Sequence, residues 1–368
     1  QQFVYSWKLE ATDKLPTGKR NCISLREKEK EIQNALRLGL VSNGGELSVL
    51  QLVEKYVAQR RNVKQPTIDG YNTVINFLKK DPFGTLRIDK VKPSDAKLWL
   101  IKLQHEYGKG YSSIHNIRSV VRPAFEMALN DDYIRKNPFN FPLAEAIVND
   151  SAMREALSPK DKRLFLEFIR NDKHYCRYYD AIYILFDTGM RISEFVGLTL
   201  SDLDFKERKI IIDHQLQRTS KMEYIIVDTT KTKAGMRELP MSDETYQCFT
   251  RIVSMRNAPK VEPMIQGKAG FLFFDKNEKP LVALHWEKYF EHICEKYNKT
   301  FKIQLPKVTP HVCRHTYCTD MARKGMNPKN LQYLMGHADI ATTLNVYTHL
   351  GFEDAKNDLK KLKLLKEA

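Results

Sequence analysis

Apolar residues recur at helical spacing over most of this chain, and short β-like runs replace them near its start and early in its second half. Between Glu46 and Phe139 four apolar stripes succeed one another. The first carries Val49, Leu50, Leu52, Val53, Tyr56 and Val57; the second, behind Pro66-Thr67, carries Ile68, Tyr71, Val74, Ile75 and Phe77. Ser94 is placed to cap a third helix with Ala96, Leu98, Leu100, Ile101 and Leu103 on its face. A fourth, from about Ser112, carries Ile114, Ile117, Val120, Val121, Ala124, Phe125 and Ala128. The pattern predicts a four-helix domain over residues 46–141, closed by Asn137-Pro138-Phe139, with 142–151 as the hinge to the next domain. Lys79, Lys80, Arg118 and Arg122 lie off the stripes, on a face that is either simply solvated or shaped to grip a polyanion.

Upstream, FVYSWKLEAT alternates aromatic and polar residues as a strand does. A lone strand buries neither face, so the expectation is a small sheet whose other strands were cut away upstream. Leu25–Leu40 reads as a charged helix capped by Ser24, and Ser42–Gly45 as a flexible joint. Downstream, Ser158-Pro159 starts a helix, Tyr178–Phe186 forms a strongly apolar one, and Thr188-Gly189-Met190 breaks it before a new helix at Arg191–Leu198. Strands are predicted at Lys209–Asp213, Tyr224–Val227 and Arg237–Pro240, with Thr230–Gly235 as a basic hairpin tip between the last two. Helices resume at Asp243–Arg256 and Leu284–Tyr297.

The stretch Thr309–His349 has the clearest start and stop signals. Thr309 is a fit N-cap, Pro310 suits the first helical position and Gly325 a stop, so His311, Arg314 and His315 share one face. Asn327-Pro328 opens a second helix that closes at Gly336-His337, and a third, from about Asp339, ends at Tyr347. Such short connections bring Arg314, His337 and Tyr347 within reach of one another.

Composition narrows the classes. The 368 residues suffice for two or three domains. Lys and Arg outnumber Asp and Glu by 60 to 45, a net charge of +15, which suits a polyanionic partner or plain solubility. Six scattered cysteines form no disulfide framework, as in a reducing cytoplasm, and no run of apolar residues is long enough for a membrane span. No stretch reads as a secretory signal.

Arg191 stands at a helix N-terminus, where the dipole opposes a cation, so local stability does not explain it. Beside Glu194 it makes either a structural ion pair or half of a site for an anion such as phosphate, whose oxygens match the planar fork. Three readings of Thr309–His349 compete. His311 and His315, with Cys313 and Cys318 nearby, have the i, i+4 spacing of a zinc site, but Val312 replaces the general-base glutamate and Arg314 adds a positive charge. Alternatively the histidines are hydrogen-bonded core residues and Tyr347 packs. The third reading is phosphoryl transfer to a tyrosine, which calls for two arginines, histidines, an acid for the leaving oxygen, and no metal. Only this reading uses Arg191, Lys233, His311, Arg314, His337 and Tyr347 together.

TGMRISEFVGL, PHVCRHTYCTDMARKG and LMGHADIATTLNVYTH resemble the three signature boxes of the tyrosine recombinase (phage integrase) family. The likeness covers essentially the whole chain and is strongest to integrases of conjugative transposons. It implies a multidomain, mainly α protein. Residues 1–45 would be the remnant of a small β-sheet arm-binding domain, 46–141 a four-helix core-binding domain, 152–350 a mixed α+β catalytic domain and 351–368 a tail helix. Together the two larger domains would close a C-shaped clamp on duplex DNA. Arg191 and Arg314 would clamp the scissile phosphate, and Tyr347 would attack it, leaving a 3′-phosphotyrosine. His311 and His337 would assist proton traffic and hold the phosphate, and Lys233 would protonate the 5′-oxygen, with Lys231 as the alternative acid. No cofactor, metal or ATP is required.

The partners implied are double-stranded DNA (transposon ends and the target or circular-intermediate junction) and further copies of the chain, from dimer to tetramer. An accessory excision or DNA-bending protein is a further implied partner, in a bacterial cytoplasm. The tail stripe Phe352, Ala355, Leu359 and Leu362 would dock on a neighbouring subunit, or else on its own domain. A type IB topoisomerase and a non-catalytic DNA-binding regulator are the rival functions.

Overall fold

The computed structural model describes residues 30, 46–61, 63, 65–150, 156–219, 221–228 and 235–347. The expected strand over 3–12, the helix over 25–40 (Lys30 aside), Lys231, Lys233 and the tail over 351–368 lie outside them. Contacts divide the chain into two compact units, Gln1–Ala152 and Met153–Ala368. Among the described residues no helix is long and apolar enough to cross a membrane.

The first unit is built from α1 (Val49–Ala58), α2 (Gln65–Leu78), α3 (Pro93–His105) and α4 (Tyr111–Asn130). Ser48 and Gln51 start α1 with a reciprocal capping box, each side chain bonded to the other's backbone N–H at 3.1 and 2.9 Å. On α4 the residues Ile114, Ile117, Val121, Phe125 and Ala128 recur at spacings of three and four and are all buried. They face a small aromatic core in which Phe83 stacks on Trp99 at 4.1 Å and Phe139 meets both edge-on. Ser94 is not the cap of α3. Pro93, with its fixed φ and no N–H, takes the first helical position, and the Asp95 carboxylate accepts the Lys92 N–H at 2.9 Å. The expected hinge is anchored too. Leu143 and Ile147 are buried in this unit, the Gln104 amide bonds both backbone groups of Val148, and Asp150 accepts the Tyr111 N–H.

The second unit runs α5 (Pro159–Asn171), α6 (Tyr179–Thr188), α7 (Ile192–Gly197), five strands, then α8 (Asp243–Ser254), α9 (Ala283–Thr300), α10 (Pro310–Arg323), α11 (Pro328–Met335) and α12 (Ile340–Tyr347). Its core gathers Phe165, Phe186, Phe195, Trp286 and Phe290 from α5, α6, α7 and α9. The strands are β1 (Leu203–Asp204), β2 (Lys209–Ile212), β3 (His214–Arg218), β4 (Tyr224–Asp228) and β5 (Arg237–Pro240), all antiparallel. They form a three-stranded sheet in the order β1-β2-β5 and a two-stranded one, β3-β4.

This corrects the expected hairpin. The strands on either side of 230–235 do not pair with each other: β4 pairs with β3, and β5 with β2. The tip of the ribbon is instead Thr219–Glu223, where the Thr219 N–H donates to the Glu223 carbonyl at 2.8 Å and Met222 takes a positive φ of 68°. Ile212 stands opposite Arg237 and His214 opposite Asp228, so the two ladders are separated by one residue, Asp213, in one direction along the chain and by eight, 229–236, in the other. Lys231 and Lys233, which a continued strand would put on one face, lie beyond Asp228, outside the described residues.

Candidate active site

α10 is the central element, and periodicity hides its role because it is buried on nearly every side. Thr309 caps it and Pro310 opens it, as expected. Val312, Cys313, Arg314, Thr316, Tyr317 and Cys318 are all buried along it. A charge in that position is costly unless its donors are satisfied. Arg314 Nη1 donates to the Gly189 carbonyl at 2.7 Å, and Nη2 donates to that of Met335. Burial, then the nearby Arg191, lower its pKa to about 9, against a smaller raising effect of Glu194, so it is still charged at neutral pH. Among the described residues no carboxylate pairs with it directly.

Gly189 ends α6 in the left-handed region at φ 62°, which frees its carbonyl to face Arg314. A Cβ there would stand 2.4 Å from the Tyr317 ring. Arg191 comes next as the N-cap of α7, with extended backbone. Its N–H and Nη1 bond the two oxygens of Glu194, at 2.8 and 2.7 Å, and Nη2 donates to the Gly336 carbonyl at 2.8 Å. More than a third of the Arg191 side chain remains exposed, so the structure has both the ion pair and an open guanidinium edge.

Glu194 has no exposed side-chain surface and is shared with Arg237, whose Nη1 and Nη2 reach its oxygens at 3.1 and 2.8 Å. Burial pushes the carboxyl up, but the hydrogen bonds and charge of Arg237, with Arg191 behind, hold it at about 2. Arg237 was not singled out in the sequence. The available signal was its place on the inward phase of β5, where buried and exposed residues alternate.

His337 comes directly after Gly336, the left-handed cap of α11. Burial, then Arg314, Arg191 and Arg237, lower its pKa to about 4, so the ring is neutral at pH 7. Nδ1 meets the buried Thr343 hydroxyl at 2.9 Å, which leaves Nε2 for a further partner.

The structure therefore brings Arg191, Arg314 and His337 together. Tyr347 is held otherwise. Its hydroxyl donates to the Met326 carbonyl, and its ring rests on a small cluster of Tyr317, Cys318, Ala322, Leu331 and Met335. Burial raises the phenol's pKa. His311 is exposed on α10 one turn before Arg314, and His315 is half-buried with Nδ1 3.4 Å from Thr319 Oγ1.

The zinc reading of α10 has no converging donor set. Among the described residues the one group of three whose ligand atoms converge is Asp202, Asp213 and His214. These are committed elsewhere: His214 Nε2 to the Gly197 carbonyl at 2.7 Å, and Asp213 to Lys268 at 3.2 Å. Of the basic residues singled out in the first unit, Arg118 serves the fold, donating to the Phe139 and Phe141 carbonyls.

Residues 155–354 match the model of the phage integrase family, and residues 1–36 that of the DNA binding domain of tn916 integrase. The chain is 46% identical over 362 residues to the transposase from transposon Tn916 of Enterococcus faecalis, covering 98% of this chain and 88% of that one. The Tn1545 transposase of Streptococcus pneumoniae matches equally, at 46% over the same shares of 98% and 88%. Among solved structures, the Tn1549 transposon integrase in complex with a circular intermediate DNA superposes with a TM-score of 0.81 at 43% identity, over 86% of this chain and 99% of that chain. The same integrase with transposon right end DNA gives 0.80 at 43%, over 86% and 100%.

Proposed function

The chain belongs to the phage integrase family, and we propose that it works as the integrase of a conjugative transposon, a site-specific recombinase that cuts and rejoins DNA through a 3′-phosphotyrosine link. Its second unit carries the tyrosine recombinase catalytic fold, mostly helical with small sheets. The observation that carries the mechanism is the charge balance of the site. Arg191, Arg237 and Arg314 surround a single carboxylate, Glu194, and His337 is neutral. Among the described residues two positive charges are left over there, and a phosphodiester supplies the missing anion.

In this reading Arg191 and Arg314, held from behind by carbonyls, take the non-bridging oxygens of the scissile phosphate. With Thr343 donating to Nδ1, His337 carries its proton on Nε2 and donates it to the same phosphate. Tyr347 leaves the Met326 carbonyl and its phenolic oxygen bonds to phosphorus, the bond to the 5′-oxygen breaks, and that oxygen takes a proton from Lys233 or Lys231. The phenolic proton passes toward His311. The new phosphotyrosine keeps the energy of the old bond, and attack by a 5′-hydroxyl reverses the step on a new strand.

The DNA would be transposon ends and the circular-intermediate junction, as held by the Tn1549 relative, and the +15 charge suits that partner. The helical unit over 46–141 would grip the duplex, residues 1–45 would belong to an arm-binding domain, and the tail over 351–368 would join copies into dimers to tetramers. A nicked suicide substrate tests the reading. The wild-type protein should form a DNA adduct that survives a denaturing gel, while Tyr347→Phe should bind the DNA and form none; an adduct on that variant overturns the assignment. On a 5′-thio substrate, which leaves without a proton, only loss of the true acid among Lys233→Ala and Lys231→Ala should be rescued.

A further inference from the structure

Three guanidiniums grip three successive carbonyls at the end of α11. Arg237 Nε donates to Leu334 at 2.7 Å, Arg314 to Met335, and Arg191 to Gly336 at 2.8 Å. The last carbonyls of a helix have no partner within it and carry the negative end of its dipole, so a cation on each is favourable twice over. The three arginines come from three elements: β5, α10 and the cap of α7. The Arg237 side chain has no exposed surface. Its remaining donors are on Glu194, the residue that orients Arg191. A second tie joins the same elements, from the Glu238 N–H to the Tyr333 hydroxyl at 3.0 Å.

We propose that Arg237 is a positioning residue for strand cleavage: by bridging Glu194 to the Leu334 carbonyl, it sets where Arg191 and the His337 end of α11 stand around the phosphate. The proposal rests on the recombinase reading above. Arg237 touches neither phosphate nor nucleophile and acts through residues that do.

A purely structural ion pair and a positioning residue differ in pH dependence. The charged and titratable groups around Glu194 are Arg191 on its own helix, Arg237 from β5, Arg314 from α10 and His337 after α11. From β3 come His214, bonded to the Gly197 carbonyl, and neutral Gln215 beside Ser193; from α9 comes Trp286, against Phe195. Without Arg237, burial of the Glu194 carboxyl is opposed mainly by Arg191, and its pKa rises. As pH falls, the carboxyl then protonates and releases Arg191. In the wild type, with this group near 2, cleavage owes it no pH dependence above neutrality or just below.

The test is single-turnover adduct formation on the suicide substrate at saturating DNA, from pH 6 to 9. Arg237→Gln should cleave about 100-fold more slowly than wild type at pH 6 and recover roughly tenfold toward pH 9, with DNA affinity changed by no more than about threefold. Arg237→Lys keeps a cation beside Glu194 but loses the fork. It should be about tenfold slow, with the wild-type pH profile and DNA affinity. Wild-type rates in both variants, or a slow Arg237→Gln with a wild-type profile, overturn the proposal. If Arg237→Gln does not fold, Arg237→Lys decides: a slowed chemical step with unchanged melting supports it, and a wild-type rate overturns it. Absence of any adduct with the wild-type protein would instead sink the recombinase reading itself.

Discussion

Each of the three guanidiniums at the end of α11 is tied to a backbone carbonyl and, for two of them, to Glu194 as well, whereas the Tyr347 hydroxyl is held by one hydrogen bond to the Met326 carbonyl. The clamp draws on α6, α7, β5, α10 and α11. By contrast α12 has eight residues, with Thr343 as its buried one, and leans on a cluster of five buried side chains. On the proposed reading, the half that binds phosphate is thus built before the phosphate arrives, which is where electrostatic stabilisation is most effective. Tyr347, the proposed nucleophile, is stored in a different contact and would have to be released, which would make its arrival a step that can be gated.

The contrast breaks first on Arg314. Arg314→Met should lower adduct formation by about a thousandfold while DNA binding persists in a filter or gel assay, because a preorganised donor is lost from the transition state. A loss below tenfold would mean that the clamp does not bear on the chemistry. Next comes Gly189→Ala, which combines a φ of 62° with a Cβ 2.4 Å from the Tyr317 ring. It should cost about 3 kcal/mol and lower the thermal midpoint by roughly 6–12 °C; an unchanged midpoint would show a clamp that yields.

The third test uses pH. Glu194 is lowered from 4.5 to about 2, so its contribution is present above pH 4.5 and lost as pH falls through that window. The amount is about 3 kcal/mol in a denaturant titration, and Glu194→Gln should remove the acid-side slope that this group contributes. His337, lowered from 6.5 to about 4, acts in the same direction: folding disfavours its protonation, so stability falls as pH drops below 6.5. The smallest effect belongs to the other half. Tyr347→Phe, expected to abolish adduct formation, should cost no more than about 1 kcal/mol, with faster amide exchange confined to α12. A loss as large as that at Gly189 would erase the distinction between the two halves.

What could be read in the sequence depends on how local each signal is. Arg191, Arg314, His337 and Tyr347 sit in short boxes with their own caps and stops, so local signals, with the family resemblance of those boxes, brought out the candidates. Arg237 belongs to no such box, because its partner Glu194 lies 43 residues away and only the pairing of β5 with β2 turns it inward. β3 escaped notice because its inward positions begin with His214, a polar residue satisfied by Asp213 and the Gly197 carbonyl. The burial of Arg314 was equally hidden: a helix enclosed on nearly all sides has no polar face for periodicity to find. Ser94 misled for the opposite reason, since a good capping residue stood one place after a better helix-starting proline.

The ribbon's uneven register has a consequence for descent. Ile212 opposite Arg237 and His214 opposite Asp228 are fixed separately, one by the sheet with β1 and the other by the β3-β4 pair. Residues gained or lost between Asp228 and Arg237 therefore shift neither ladder, and doubling such a connection costs only about 0.6 kcal/mol in closure. Related chains are free to vary the length and charge of this segment while the arginine at its far end stays where it is.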